Sequence, residues 1–213
     1  MIRFWYGSGS PYSWRVQLLL EEKGLPYEPV LLSFQKGDHK AAEHLARHPH
    51  GKVPALADGD VALYESTAIV EYLEERYQEP LFLPRDPTRR GHVRIEEIEA
   101  TEYFGGKFRD LARQVFFTPA AERNPGAIAC AQAGVRHEIE RLEARASRRR
   151  GAWIMSDDGP TRADVTWIPF IEIAARAGVD LDSQHTPWLH AWRDRMRARP
   201  SYRASYPPHW RQA

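Results

Sequence analysis

One cysteine, Cys130, stands in 213 residues, so no disulfide can close within the chain. Set mid-helix among alanines, that thiol is expected to be a small buried hydrophobe. The formal net charge is +1, from 30 Lys and Arg against 29 Asp and Glu. Such a balance supplies no basic excess to drive binding to nucleic acid. No apolar run approaches the length of a membrane span, and the mean hydropathy of -0.60 agrees. Met1 to Tyr6 is interrupted at once by Gly7-Ser8-Gly9-Ser10, which leaves no apolar core for a signal peptide. These shortages predict a cytoplasmic, soluble protein whose partners include neither nucleic acid nor membrane.

What is present divides into two parts. Ile2 to Tyr6 reads as a short buried strand, followed by the loop Gly7 to Pro11. Ser13 to Lys23 carries Trp14, Val16, Leu18, Leu19 and Leu20, a helix buried over much of its surface, with Gly24 as its left-handed end and Pro26 blocking continuation. Tyr27 to Leu32 is a second strand, and Lys40 to Arg47 a weak, polar helix. Pro80 to Pro87 is a composition break. Beyond it everything reads as helix: Thr88 to about Thr118, Ala127 to Arg150, Thr161 to about Ala177, and Pro187 to Ala198. Thr161 and Asp164 have the pattern of an N-cap and a first-turn carboxylate. The tail from Ser201 is expected to be a short turn and an irregular end.

His48 to Leu73 is the stretch with the most chemistry. Lys52-Val53-Pro54-Ala55-Leu56 puts a proline at the mouth of an apolar strand, where its missing N–H costs no ladder bond. Asp58-Gly59-Asp60 supplies a hairpin turn, and Val61 to Leu63 the return strand. Tyr64-Glu65-Ser66 then opens a helix with Ile69, Val70 and Leu73 on one face and Ser66 as its expected N-cap. A helix's positive end beside a rigid proline corner can hold a peptide-like anion.

A βαβ unit, a connector and a ββα unit, followed by an all-helical part, resemble the cytosolic glutathione transferases. The resemblance runs the length of the chain. It implies an α/β thioredoxin-like glutathione-binding domain over residues 1–79, a linker over 80–88 and an all-helical domain over 89–213 that lines the site of an electrophile. It also implies a cis proline at Val53-Pro54 and a homodimer. Glutathione would be the co-substrate, with no metal. In the family the backbone at Val53 pairs with the cysteinyl unit like an added strand. Glu65 and Ser66 match the pair that holds the γ-glutamyl end, and Lys52 suits the glycyl carboxylate.

Ser10-Pro11-Tyr12-Ser13 occupies the slot that holds Cys-x-x-Cys in thioredoxin-like folds. With both cysteines replaced by serine, the site has no thiol of its own for disulfide exchange. A hydroxyl at a helix N-terminus suits the stabilisation of another molecule's thiolate. Ser10 through Val16 resembles the serine-using classes, nearest tau and zeta, which makes Ser10 the expected activating residue. Tyr6 and Ser13 are the alternatives. Tyr6 also reads as a strand aromatic, and Ser13 as the helix N-cap. Tyr12, Tyr103, Phe104 and Lys107, with the aromatic tail near Trp210, are candidates for the electrophile pocket. His39, His44, His48 and His50 lie close in sequence, but no acidic or thiol ligand completes a metal site, and a solvated polar helix is expected there. The function implied is conjugation of glutathione to a hydrophobic electrophilic small molecule. A zeta-type glutathione-dependent isomerase and a non-catalytic binding protein are the alternatives.

Overall fold

The computed structural model describes residues 1–149 and 151–211. It divides into two compact units, Met1–Phe82 with the chain from Ala198 onward, and Leu83–Arg197. The sequence reading placed that last segment with the helical part.

The first unit is built on a four-stranded sheet in the order β2-β1-β3-β4. Strand β1 (Ile2–Tyr6) pairs in parallel with β2 (Tyr27–Leu31) and antiparallel with β3 (Ala55–Asp58). Strand β4 (Val61–Tyr64) closes the hairpin through Gly59, at φ 58°, and Asp60. Helix α1 (Pro11–Glu22) joins the two parallel strands and is followed by Gly24 at φ 61°. Its Trp14, Val16, Leu18, Leu19 and Leu20 are buried with Phe4, Leu56, Ile69 and Leu73. Each such side chain contributes about 1.5–3 kcal/mol relative to exposure. The single turn α2 (Ala42–Leu45) precedes the Val53-Pro54 corner, and α3 (Ser66–Arg76) follows β4.

Two starts differ from the sequence reading. Helix α1 begins at Pro11, because Ser10 rather than Ser13 is its N-cap: Ser10 Oγ accepts from Ser13 N at 3.3 Å. Proline fits the first helical position, where no N–H is needed. Ser66 is the first residue of α3 rather than its cap, since Glu65 holds the cap position at φ 69° and ψ 113°.

The second unit opens with α4 (Pro87–Ile98), a π-helical turn over Glu99–Phe104, α5 (Gly105–Ala112) and a second π turn over Arg113–Phe117. Helix α6 (Pro125–Arg148) starts at the expected turn, with Asn124 as its cap. The expected end at Arg150 lies outside the described residues. Cys130 is exposed, contrary to expectation. The buried face of α6 is carried by Val135, Ile139, Leu142 and Ala146, further along the helix. Helix α7 (Arg162–Arg176) has the capping box read from Thr161 and Asp164. The Asp164 carboxylate is fully buried, which pushes its pKa up. Against that, it accepts hydrogen bonds from Thr161 N, Ile154 N, Trp192 Nε1 and Thr161 Oγ1. Glu97 receives Arg162 through two bonds of 3.1 and 2.7 Å, both side chains being buried. Helix α8 is Pro187–Ala198.

The tail is the main departure. Residues expected to be irregular form α9 (Pro200–Ser205) and a 3₁₀ turn over Pro208–Trp210, and they pack on α1. Arg199 and Ser201 bind Glu22 at one end of α1, while Trp14 Nε1 donates to Ser205 Oγ at 3.0 Å. The tail's last two residues lie outside the described residues.

Lys23 ties the end of α1 to the end of α3. Its buried ammonium donates to Tyr77 O at 2.8 Å and Pro80 O at 2.7 Å, and pairs with Glu74 at 2.9 Å. Lys23→Met would leave the Glu74 carboxylate buried without its counter-charge. A loss of about 3–5 kcal/mol in unfolding free energy is expected from urea titration, and a loss below about 1 kcal/mol would contradict it.

Candidate functional site

The sheet register gathers the candidate residues. Trp5, near the end of β1, pairs with Ala55 at the start of β3, and Ala55 pairs with Tyr64 at the end of β4. The loop after Tyr6, the corner before Ala55 and the turn after Tyr64 therefore leave the sheet at one end. Leu31 ends β2 at the same end, beside Tyr6.

The first loop is tightly held. Ser10 N donates to Gly7 O at 3.1 Å, and Gly7 N donates to the buried Ser13 Oγ at 3.4 Å. The Phe34 ring lies against Gly7, where an added Cβ would fall 2.3 Å from a ring carbon. Ser13 thus faces inward and braces the loop. Ser10 is half-buried, and its Oγ accepts the Ser13 N–H. That bond uses a lone pair and leaves the hydroxyl proton available for an acceptor in front of α1. Tyr6, the alternative, stacks on the buried Phe4 with ring centroids 5.6 Å apart, and burial pushes its phenol pKa up.

The second element is the corner. Val53-Pro54 is cis, with Pro54 buried, Val53 half-buried and Lys52 exposed. Beneath it, His44 Nε2 donates to Lys52 O at 2.6 Å. His44 and His48 are both buried, which corrects the expected solvated helix: their rings face the corner and Tyr64 rather than water. Lys40, absent from the sequence-predicted site, donates to His50 O and lies against Gly51, where an added Cβ would come 3.0 Å from its Nζ. Its ammonium therefore lies against the glycine that precedes Lys52 in the chain. The sequence signal was present in His39-Lys40, but it merged into a generally basic stretch.

The third element is the start of α3. Glu65 is exposed and is the one non-glycine residue with positive φ among the described residues. Its carbonyl accepts from Ile69 N at 3.0 Å, and no side chain caps the first N–H groups of α3. Ser66 is buried beside them. A carboxylate on the outside and uncapped amides on the inside can bind an ammonium and a carboxylate of one α-amino-acid group.

The candidates for the electrophile pocket fall in both units. Tyr12 is half-buried next to Ser10, while Tyr103 and Lys107 are exposed on the second unit. Phe104 is fully buried among Phe108, Trp167 and Phe170 at 5.6–6.0 Å between ring centroids, and it packs the core of that unit instead of lining a pocket. Trp210 is likewise buried, against Trp14 and Tyr206. Among the described residues, no group of three or more His, Cys, Asp or Glu side chains is arranged to hold a metal ion. No described helix is long and apolar enough to cross a membrane.

A small sheet domain of this topology, with a proline corner beside a helix start, followed by a helical domain, defines the thioredoxin-like plus all-helical class of two-domain proteins. Residues 7–81 match the family model for the glutathione S-transferase N-terminal domain, and residues 108–200 match that for the C-terminal domain. The chain is 32% identical over 208 residues to glutathione S-transferase A of Pleuronectes platessa, covering 96% of this chain and 91% of the relative. It is 32% identical over 207 residues to maleylacetoacetate isomerase of Pseudomonas aeruginosa, covering 93% and 92%. A theta-class glutathione S-transferase from Xanthomonas axonopodis pv. citri, solved with glutathione bound, superposes with a TM-score of 0.83 at 29% identity, covering 96% of each chain. The chain belongs to the glutathione S-transferase family.

Burial holds the His48 imidazole below its usual pKa. The unfolded chain binds a proton near pH 6.5 that the folded chain resists, so this stability is present above about 6.5 and is lost as pH falls through the lower folded value. Melting temperature followed from pH 7.5 to 5.5 should therefore fall less steeply in His48→Phe. An unchanged slope would contradict the assignment.

Proposed function

We propose that this chain activates the thiol of glutathione and joins it to an electrophilic carbon of a hydrophobic small molecule. The first unit would hold glutathione, and the helical domain would line the electrophile site. In this reading the glycyl carboxylate meets Lys52 and Lys40. The cysteinyl unit pairs with the Val53 backbone beside Pro54. Glu65 accepts from the γ-glutamyl ammonium, while Ser66 Oγ and the first amides of α3 donate to its carboxylate. The sulfur then faces Ser10. Family membership supports a homodimer and a cytoplasmic location.

The observation that carries the reading is the Ser10 geometry. Its oxygen is fixed by the Ser13 amide at 3.3 Å, and its proton remains to be donated. Free thiols titrate near about 8.5, and each unit of depression corresponds to about 1.36 kcal/mol. A fixed hydroxyl donor together with the positive end of α1 is of the size to supply about one to two units. The thiolate so formed attacks carbon, its electron pair makes the C–S bond, and the leaving group departs with the displaced pair. Burial that raises the Tyr6 pKa keeps that phenol protonated, so Tyr6 stays the alternative donor.

A second reading has its own support, the full-length similarity to a maleylacetoacetate isomerase. The same thiolate would add to a conjugated double bond and, after rotation, be expelled, returning glutathione unchanged. Both readings use the same activation step and differ only in the second substrate.

Ser10→Ala should lower turnover toward an aryl halide by about 10- to 100-fold, with glutathione affinity held within about twofold. An undiminished rate in Ser10→Ala, with a fall in Tyr6→Phe, would move the role to Tyr6. Steady-state kinetics with both substrates varied separates the two.

A further inference from the structure

The tail runs the length of α1 and ends on the loop that carries Ser10. It is clamped at the far end by Arg199 and Ser201 on Glu22, and midway by the Trp14–Ser205 bond. At the near end Trp210 is buried edge-to-face on Trp14, with ring centroids 5.6 Å apart, and Tyr206 packs on both rings. The 3₁₀ turn is closed by Trp210 N to Pro207 O at 3.0 Å, and Arg211 reaches back to Arg203 O. This anchoring lays two side chains on the loop. Ser8 Oγ and His209 Nδ1 are 2.7 Å apart and share a hydrogen bond across 201 residues of sequence. Gly9, at φ +84°, lies so close that an added Cβ would come 3.1 Å from the Trp210 ring and 3.3 Å from the His209 ring.

We propose that residues 206–211 act as a strap that fixes the Ser8-Gly9-Ser10 loop, with His209 as the positioning residue that holds Ser10 in its thiolate-donating geometry. The inference rests on the assignment of Ser10 as the activating hydroxyl. A donor is useful to a thiolate only if its direction is set before the reaction, and misplacement of about an ångström is costly. On its own side Ser10 has the helix: its Oγ bonds Ser13 N, and its N bonds Gly7 O. Gly9, with no side chain and a left-handed backbone, is the joint at which that loop would otherwise move. The strap closes this joint from outside, by aromatic contact at Gly9 and a hydrogen bond at Ser8. His209 is exposed, so the bond adds little to global stability.

The test combines turnover with the ultraviolet absorbance of enzyme-bound glutathione thiolate, at fixed neutral pH. His209→Ala is expected to lower turnover about 3- to 10-fold and to weaken the thiolate absorbance, with the glutathione KM within about twofold of wild type. Ser8→Ala should do the same. The double variant should fall no further than His209→Ala alone, because the bond that Ser8→Ala removes is already lost in it. His209→Asn, whose amide can still bond Ser8 Oγ, should recover most of the loss. Unchanged turnover in His209→Ala, or additive losses in the double variant, would overturn the strap. Ser10→Ala serves as the separate control. If it keeps the thiolate absorbance, the Ser10 assignment fails and takes the inference with it. If it loses the absorbance while His209→Ala keeps it, the strap alone is refuted.

Discussion

Glu65 is forced into backbone space that side-chain-bearing residues rarely enter, at φ 69°. A residue held there costs about 1–3 kcal/mol and persists only where its surroundings over-determine it. Here they do. Tyr64 is fixed by its pairing to Ala55, and Ser66, Ile69, Val70 and Leu73 are buried as α3 turns back over the sheet. The bend lets a strand pass into a helix through one residue, Glu65, whose side chain does not cap the helix. Its products are an outward carboxylate and an uncapped row of amides, side by side. A conventional Ser or Asp cap would have filled those amides internally and left nothing for an α-amino-acid group.

The rest of the first unit follows from keeping that bend next to two other chain ends. The register of β1, β3 and β4 delivers Ser10, Val53 and Glu65 to one end of the sheet. The first two are braced from behind by a buried group: Ser13 under the Ser10 loop and His44 under the corner at Lys52. The two supporting groups are polar and buried, and each bonds a backbone atom of the loop it supports. The half-exposed groups in front are left with spare hydrogen-bonding capacity. That division between buried braces and available donors underlies the proposal that the site takes a tripeptide with charges at both ends and a thiol between.

Much of this was readable in the sequence because its signals are local. Gly24, Gly59 and Pro54 each fix a turn or corner by their own backbone chemistry, and Thr161 with Asp164 forms its capping box within four residues. The roles proposed for Lys52, Glu65 and Ser66 come from the resemblance. What stayed hidden depends on distant partners. Glu22 meets Arg199 across 177 residues, and Ser8 meets His209 across 201, so the tail's docking on α1 has no local trace. Cys130 was expected inside and is exposed, because helical periodicity gives a stripe but not which neighbour covers each turn. His44 and His48 looked like polar surface until the corner was folded over them.

The central claim is that the bend at Glu65 is maintained for binding. Glu65→Gly removes both the carboxylate and the conformational cost, and melting temperature with and without glutathione reports on both. The account predicts a free protein at least as stable as wild type, with the rise on adding glutathione largely lost. A Glu65→Gly protein that keeps the full glutathione-dependent rise would contradict it.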